Sequence, residues 1–312
     1  MTKDDLAFYN AKIAGVVGSE EHFDKSFSND VLDDYYTKSA FFYKKFHSPD
    51  GAMHLPIAFS EEATHKSKLK YQANAVGQMI KKNGYTHVLE LGCGMGFNTI
   101  HLANQFPTVE FMAIDINDTN LTFARSKAKN INNASFQAGD FNFLEHFEGR
   151  YDLIFAVETL CYSRDFNDVI QSAAELLTEN GRIVIFDGFK TPTRTAALNK
   201  IEEKAYQMFC WGFSLPDFKN YKDATMVENI APLKLEESAE YSNHVMPNFL
   251  SFQKSAKLTL RWNFFLKLFT RMNWIPLAFI QQLSAGLMGP YFLEKRYVGY
   301  YKIVFHKEQI EK

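Results

Sequence analysis

Glycines 92, 94 and 96 lie inside VLELGCGMGF (88–97), between an apolar run and a segment of helical composition. A loop without Cβ atoms turns sharply and lets its backbone touch a ligand. The amides that open the following helix then favour an anionic group. A dinucleotide-binding loop needs glycine at its first, third and sixth positions. Here the sixth position is Phe97 and the third glycine comes one residue early, which argues against NAD or FAD. Turns need glycine too, so the loop gains meaning from the acids around it. Glu90 precedes it. Asp115 closes VEFMAI (109–114), about twenty residues further on, where a carboxylate can accept both hydroxyls of a ribose. Such charge-assisted bonds contribute about 1.5–3 kcal/mol each. The other reading of Asp115, a helix N-cap, is better served by Asp118 or Thr119. Asp140, in AGDF (138–141), can accept a bond from an adenine amino group, with Ile116 and Phe141 near the ring faces, or can be an ordinary turn aspartate.

These residues need a scaffold, and the segment from about His87 to Phe189 supplies one. HVLEL (87–91), VEFMAI (109–114), residues 135–138, YDLIFAV (151–157) and RIVIFD (182–187) read as strands. Residues 99–105 and 120–130 read as helices between them, and Thr178–Gly181 as a turn. Phe166, Val169, Ile170, Ala173, Leu176 and Leu177 recur at helical spacing. Strands alternating with helices through short loops predict βαβ units and a parallel sheet wrapped on both faces. Beyond Asp187 the rhythm breaks. Residues 189–219 look helical and aromatic, and Leu233–Ser238 alternates weakly as an outer strand would. Pro247–Gly289 is a long helical stretch, and YVGYYKIVFH (297–306) is a final strand. The predicted organisation is an N-terminal helical cap over residues 1–70 and an α/β domain over 71–312, with substrate-covering insertions at about 190–230 and 245–296.

Glu90, Gly92, Gly94, Gly96, Asp115, Asp140 and YDLIFAVE (151–158), as an ordered set, resemble the class I S-adenosylmethionine (SAM)-dependent methyltransferases. The match covers about Val88–Asp187, a third of the chain. The resemblance implies a Rossmann-like seven-stranded sheet with helices on both faces, its last strand antiparallel. It also implies that SAM is the cofactor. Glycines 92, 94 and 96 would hold its methionine end, Asp115 its ribose and Asp140 its adenine. Glu90 would brace the loop or reach the cofactor through water, and Cys93, Ile116 and Phe141 complete the cofactor-binding set.

After the fourth strand, Glu158-Thr-Leu-Cys-Tyr162 is similar to the substrate-facing segment of sterol, tocopherol and other isoprenoid C-methyltransferases, in which a Glu ends the strand and an aromatic residue or His follows. FYKKFHSPDGAMH (42–54) resembles an aromatic segment ending in His near the N-terminus of that group, without its Trp-Gly pair. The resemblance points to Glu158, Tyr162 and His54 as the catalytic set, while the excess of aromatic residues and the apolar stripe at 258–272 point to a lipophilic acceptor. Methyl transfer from a sulfonium is an in-line displacement, so positioning can supply roughly 7–11 kcal/mol. An amine or hydroxyl acceptor needs one base. An alkene acceptor passes through a carbocation, which aromatic faces stabilise by about 0.5–2 kcal/mol each, and then loses a proton. Glu158 fits that base if apolar walls raise its pKa. Tyr162, Tyr43 and Trp211 are candidate contacts. In the competing readings Glu158 anchors a loop or the amino group of SAM, His54 is a satisfied structural histidine, and Tyr162 and Trp211 are packing. At the level of function, the alternatives are an N- or O-methyltransferase of a small polar metabolite and a SAM-binding domain without catalysis.

Composition narrows the partners. The chain has 312 residues, net charge −2 and no Lys/Arg-rich run, so nucleic acid is a poor partner. Three scattered cysteines without a CxxC pair suit reduced thiols in the cytoplasm and no metal site. No apolar run is long enough to span a bilayer. Thirty Phe and fifteen Tyr exceed what a core of this size needs and concentrate at 35–46, 206–218 and 249–301. Leu258, Trp262, Phe265, Phe269 and Met272 fall on one helical face, with Lys257, Arg261, Lys267 and Arg271 elsewhere. Such a stripe is ordinarily core. Basic residues beside Trp and Phe can also rest on a lipid surface, so peripheral membrane contact joins a lipophilic small molecule among the expected partners.

Overall fold

Seven strands pair in the order β3-β2-β1-β4-β5-β7-β6. They are β1 (His87–Leu91), β2 (Glu110–Asp115), β3 (Ala134–Ala138), β4 (Tyr151–Val157), β5 (Leu177–Lys190), β6 (Leu233–Glu240) and β7 (Val298–Lys307). A computed structural model describes residues 1–18, 23, 29–60, 62–191, 197–226 and 232–308, apart from the side chains of 29–31, 34, 41, 42 and 46. The aromatic rings expected to matter at 41, 42 and 46 therefore lie outside the described residues, as do parts of the 190–230 insertion.

Strands β1 to β5 run parallel, and β7 runs antiparallel to β6 at the sheet edge. Parallel pairing buries both faces, and the sequences comply: in β4 every residue except Asp152 is buried. The crossovers are the predicted helices, α5 (Phe97–Gln105), α6 (Asp118–Lys127) and α7 (Phe166–Leu176), and α4 (Tyr71–Asn83) leads into β1. Helix α7 shows how closely local chemistry sets the boundaries. Asp165 caps its first turn by accepting from the amides of Asn167 and Asp168, and Phe166, Val169, Ile170, Ala173 and Leu176 are its buried stripe. Leu177, expected on that stripe, instead opens β5. The turn predicted at 178–181 survives as a register break, since Tyr151 faces Leu177 while Leu153 faces Arg182, with Asn180 at φ +63°. The strand order reverses between β1 and β4. In open α/β sheets, the crevice beyond the carboxyl ends of the strands at such a point is where ligands bind.

The chain divides into two compact units. One comprises Tyr43–Phe189, Lys219–His244 and Tyr300–Lys312 and holds almost the whole sheet. The other comprises Met1–Phe42, Lys190–Phe218 and Val245–Gly299 and is helical. Its elements are α1 (Lys3–Val17), α2 (Asn29–Phe42), α8 (Lys200–Gly212), most of α10 (Ser242–Thr259), α11 (Asn263–Arg271) and α12 (Leu277–Glu294). Phe209 and Phe292 stack at 5.4 Å in its core, and the Tyr291 hydroxyl donates to Glu202. The single helical stretch expected over 247–289 is thus three helices, interrupted at Leu260–Trp262 and at Asn273, whose φ is +57°. Residues 43–70 fall in the sheet-bearing unit and, among the described residues, carry only a short π-helical turn (Tyr43–His47) and α3 (His65–Leu69). Helix α9 (Tyr221–Thr225) lies in the same unit. Among the described residues no helix is long and apolar enough to cross a membrane.

Candidate functional site

Beyond Leu91 the chain turns through Gly92, Gly94 and Gly96 at φ +63°, +52° and +79°, conformations that residues with a Cβ rarely adopt. Space is short as well. A Cβ on Gly92 would collide with Thr159 Cγ2, and one on Gly96 would meet Phe136 at 2.7 Å and Ala124 at 2.8 Å. The loop is tied down by the Cys93 amide donating to Ile114 O (2.9 Å) and by the Gly96 amide donating to Cys93 O (2.9 Å). The Cys93 side chain is buried in a small core with Ala113, Leu121, Ala124 and Phe136. That leaves the loop's backbone, not the thiol, to meet a ligand.

The acids divide by role. Glu90 is buried and holds the start of α5. Its Oε2 accepts from the Thr99 amide (3.2 Å) and the Thr99 hydroxyl, and its Oε1 accepts from Asn98 Nδ2 (3.1 Å). Burial pushes its pKa up to about 7. Asp115 Oδ2 accepts from the Gly94 amide (2.7 Å) and Oδ1 from the Asn117 amide (2.9 Å), so this carboxylate stands against the glycine loop. The cap of α6 is Asn117, whose side chain accepts from the Asn120 amide; neither Asp118 nor Thr119 serves. Asp140 caps the 3₁₀ turn Phe141–His146 through the Asn142 amide (2.9 Å). Phe141 is buried beside it, and Ile116 is half-buried.

Just past β4, Glu158 takes a left-handed φ of +52°, a strained conformation for a side-chain-bearing residue and one that clusters at functional sites. Its amide donates to Phe186 O on β5 (2.7 Å). Its Oε1 accepts from the Leu55 amide (2.7 Å) and the Tyr300 hydroxyl (2.9 Å). Burial, with Asp187 nearby, raises its pKa to about 8. Asp187 in turn accepts from the amides of Thr159 (3.2 Å), Cys161 (2.9 Å) and Gly188 (2.8 Å), and burial raises it to about 6. The Thr159 hydroxyl donates to Gly92 O (3.2 Å), which links this segment to the glycine loop. Tyr300, Asp187, Thr159 and Gln72 were not singled out from the sequence. Gln72 donates to Leu55 O (2.7 Å), while its buried Oε1 has no partner.

His54 is buried, and its Nε2 lies 2.8 Å from Leu69 O. That geometry makes Nε2–H the donor and fixes the tautomer. Burial lowers its pKa to about 4, so the ring is neutral near pH 7. Its ring lies 5.7 Å from that of Phe97. Tyr162 is buried in the 3₁₀ turn Leu160–Tyr162. Tyr43 sits edge-on to His47 (5.8 Å). Trp211, on α8 of the helical unit, is buried and packs edge-on against Phe23 (5.0 Å). Among the described residues no group of His, Cys, Asp and Glu could hold a metal ion.

The residues present fit an adenosyl ligand. The space a Cβ would take at Gly92, Gly94 and Gly96 is already filled by Thr159, Met53, Phe136 and Ala124, so only glycine keeps this tight turn, and Asp115 and Asp140 offer acceptors at the ends of β2 and β3. The buried Oδ1 atoms of Asn98 and Asn120 have no protein partner. The fold is that of the class I SAM-dependent methyltransferases. Residues 80–230 match the family described as a methyltransferase domain. A malonyl-[acyl-carrier protein] O-methyltransferase of Bacillus anthracis is 28% identical over 138 residues, 44% of this chain and 50% of that protein. The chain thus matches about half the length of that relative. A cyclopropane synthase of Mycobacterium tuberculosis superposes with a TM-score of 0.74 at 11% identity, covering 91% of this chain and all of that one. A geranyl diphosphate C-methyltransferase of Streptomyces coelicolor, solved with S-adenosyl-L-homocysteine, superposes at 0.59 with 12% identity, covering 88% and 98%.

Proposed function

We propose that the protein is a SAM-dependent methyltransferase whose acceptor is a lipophilic small molecule of sterol-like, prenyl or other lipid-like character. The observation that carries the reading is the glycine loop with the Asp115 carboxylate on its Gly94 amide (2.7 Å), one strand away from Glu158, whose Oε1 accepts from the Leu55 amide and the Tyr300 hydroxyl. Bound SAM supplies an electrophilic methyl group. The loop would hold the methionine end, Asp115 would accept from the ribose hydroxyls, and Asp140 would accept from the adenine amino group. In its ionised form, which fills as pH approaches about 8, Glu158 accepts a proton from the acceptor. The Leu55 amide and Tyr300 hydroxyl fix the carboxyl's orientation, so the proton is taken without rearrangement. A group with a pKa near 8 is matched to proton transfer close to neutral pH, whereas an ordinary glutamate is too weak a base. The acceptor class is supported by proteins the chain resembles, among them a malonyl-[acyl-carrier protein] O-methyltransferase and a geranyl diphosphate C-methyltransferase.

The test is turnover of labelled SAM by purified protein against a panel of prenyl, sterol and fatty-acyl acceptors beside small polar amines and carboxylates. Methylation confined to the lipophilic set supports the reading. Turnover of the polar set alone overturns the acceptor class and leaves the methyltransferase reading standing. Calorimetry showing no binding of SAM or S-adenosylhomocysteine to folded protein overturns both.

A further inference from the structure

Helix α11 has one buried residue, Leu266. Around it Leu258, Trp262, Phe264, Phe265, Leu268 and Trp274 are 41–74% exposed. Nine of the fourteen large hydrophobic residues exposed among the described residues fall between Leu250 and Trp274, so the exposure is concentrated and not the scattered background of a soluble surface. Leu258, Thr259, Trp262, Phe265, Leu266 and Phe269 line an open apolar groove of about 480 Å³. The stripe legible in the sequence is therefore not core; most of it faces outward.

The charge pattern is equally one-sided. From Ser242 to Leu293 the chain has no Asp or Glu, yet it carries Lys254, Lys257, Arg261, Lys267 and Arg271 in a protein of net charge −2. Asp5, on the first turn of α1, lies within electrostatic reach of Lys257, Glu202 accepts from the Tyr291 hydroxyl, and Glu294 follows the segment directly. Lys12 donates to Leu260 O (3.1 Å).

We propose that α11 and its flanks dock on the surface of an anionic phospholipid bilayer. Trp262, Phe264 and Trp274 would enter the headgroup region, with Arg261, Lys267 and Arg271 on the lipid phosphates. Aromatic rings beside Lys and Arg, with no acid between them, are the pattern that interfacial helices use. The competing occupant is a second copy of the chain. A twofold interface would bring the same cations face to face, with no carboxylate in the segment to offset them. The bilayer supplies the missing negative charge. The proposal stands whether or not the methyl acceptor is a lipid.

The full chain is sedimented with vesicles of phosphatidylcholine containing about one-third phosphatidylglycerol, and with phosphatidylcholine alone. The expected result is binding to the anionic vesicles, at least about tenfold weaker binding to the neutral ones, and release as salt rises from about 0.1 to about 1 M. Trp262→Ser with Phe264→Ser, and separately Lys267→Glu with Arg271→Glu, should each lower partitioning about tenfold or more while S-adenosylhomocysteine binding and Tm stay unchanged. Partitioning that ignores both pairs of substitutions, or the absence of binding to either vesicle, overturns the proposal. So does a dimer in analytical ultracentrifugation that the same substitutions dissolve while vesicles do not bind.

Discussion

Two glutamates stand near the carboxyl ends of adjacent parallel strands, Glu90 on β1 and Glu158 just past β4, and burial raises both pKa values. What surrounds them differs. Both oxygens of Glu90 are bonded, to donors eight and nine residues later on the following helix, and its backbone is ordinary strand. Both bonds to Glu158 fall on Oε1, their donors come from distant parts of the chain, and its backbone is strained. Raised pKa alone therefore does not distinguish a brace from a reactive group. Which donors are used, and whether the backbone is strained, does. In this pair Glu90 holds the glycine loop's helix in place, and Glu158 is the group proposed to exchange a proton.

The widest separation comes from Glu158→Gln. The amide oxygen keeps both donors, so the fold is retained, but the group no longer accepts a proton. Turnover should fall about 10²- to 10⁴-fold with S-adenosylhomocysteine affinity unchanged, and in the native protein kcat/KM should rise with pH through about 8. Full turnover in the variant would erase the contrast. Next in size is Gly92→Ala. Its methyl group would collide with Thr159, whose hydroxyl is already committed to Gly92 O and Val157 O, at a backbone φ that alanine resists. Calorimetry should show S-adenosylhomocysteine affinity reduced about 100-fold, roughly 2.7 kcal/mol, in protein that remains folded.

The loop side of this comparison was legible in the sequence because its constraints are local. Three glycines where φ must be positive, an acid two residues ahead and an aspartate ending the next strand all follow from short-range rules. The five parallel strands followed from apolar runs of strand length. The Glu158 side was only half legible. Glu158 could be named, but its partners lie 103 residues away at Leu55 and 142 residues away at Tyr300, and no local pattern links them. Asp187 was visible only as the end of a strand, because its acceptor role depends on the backbone turn at 159–161. The aromatic stripe near 258–272 was legible as a stripe, yet periodicity does not tell which way a stripe faces. The α6 cap was misassigned for a related reason: Asn117, Asp118 and Thr119 are all good caps, and the neighbouring bond from the Asn117 amide to Asp115 decides among them.

The brace reading of Glu90 is sharpened by a pair of substitutions. Glu90→Ala strands the Thr99 amide and hydroxyl and Asn98 Nδ2 in a buried site, a cost of about 2–3 kcal/mol that thermal denaturation would report as a Tm lower by several degrees. Glu90→Gln should recover most of this. Its oxygen can keep Thr99, and a flip of the Asn98 amide turns the presently unpartnered Oδ1 toward the new NH₂ group. If Gln is as damaging as Ala, the charge and not the bonding holds the helix.

The smallest effect concerns stability against pH. The folded protein raises Glu158 from its ordinary 4.5 to about 8, so folding favours the neutral acid. Its contribution to stability is complete below about 4.5 and is lost as pH rises through about 8, because the unfolded chain ionises freely while the folded chain resists. Gln at this position never ionises. The Tm of Glu158→Gln minus that of the native protein should therefore be near zero at pH 5 and grow to a few degrees by pH 8.5, about 1 kcal/mol after allowance for solvent reaching a half-buried residue. Glu90 and Asp187, raised to about 7 and about 6, shift both proteins in the same direction and largely cancel in the difference. A flat difference across this range would mean that Glu158 ionises as easily folded as unfolded, and the base assigned to this site would have to be another group.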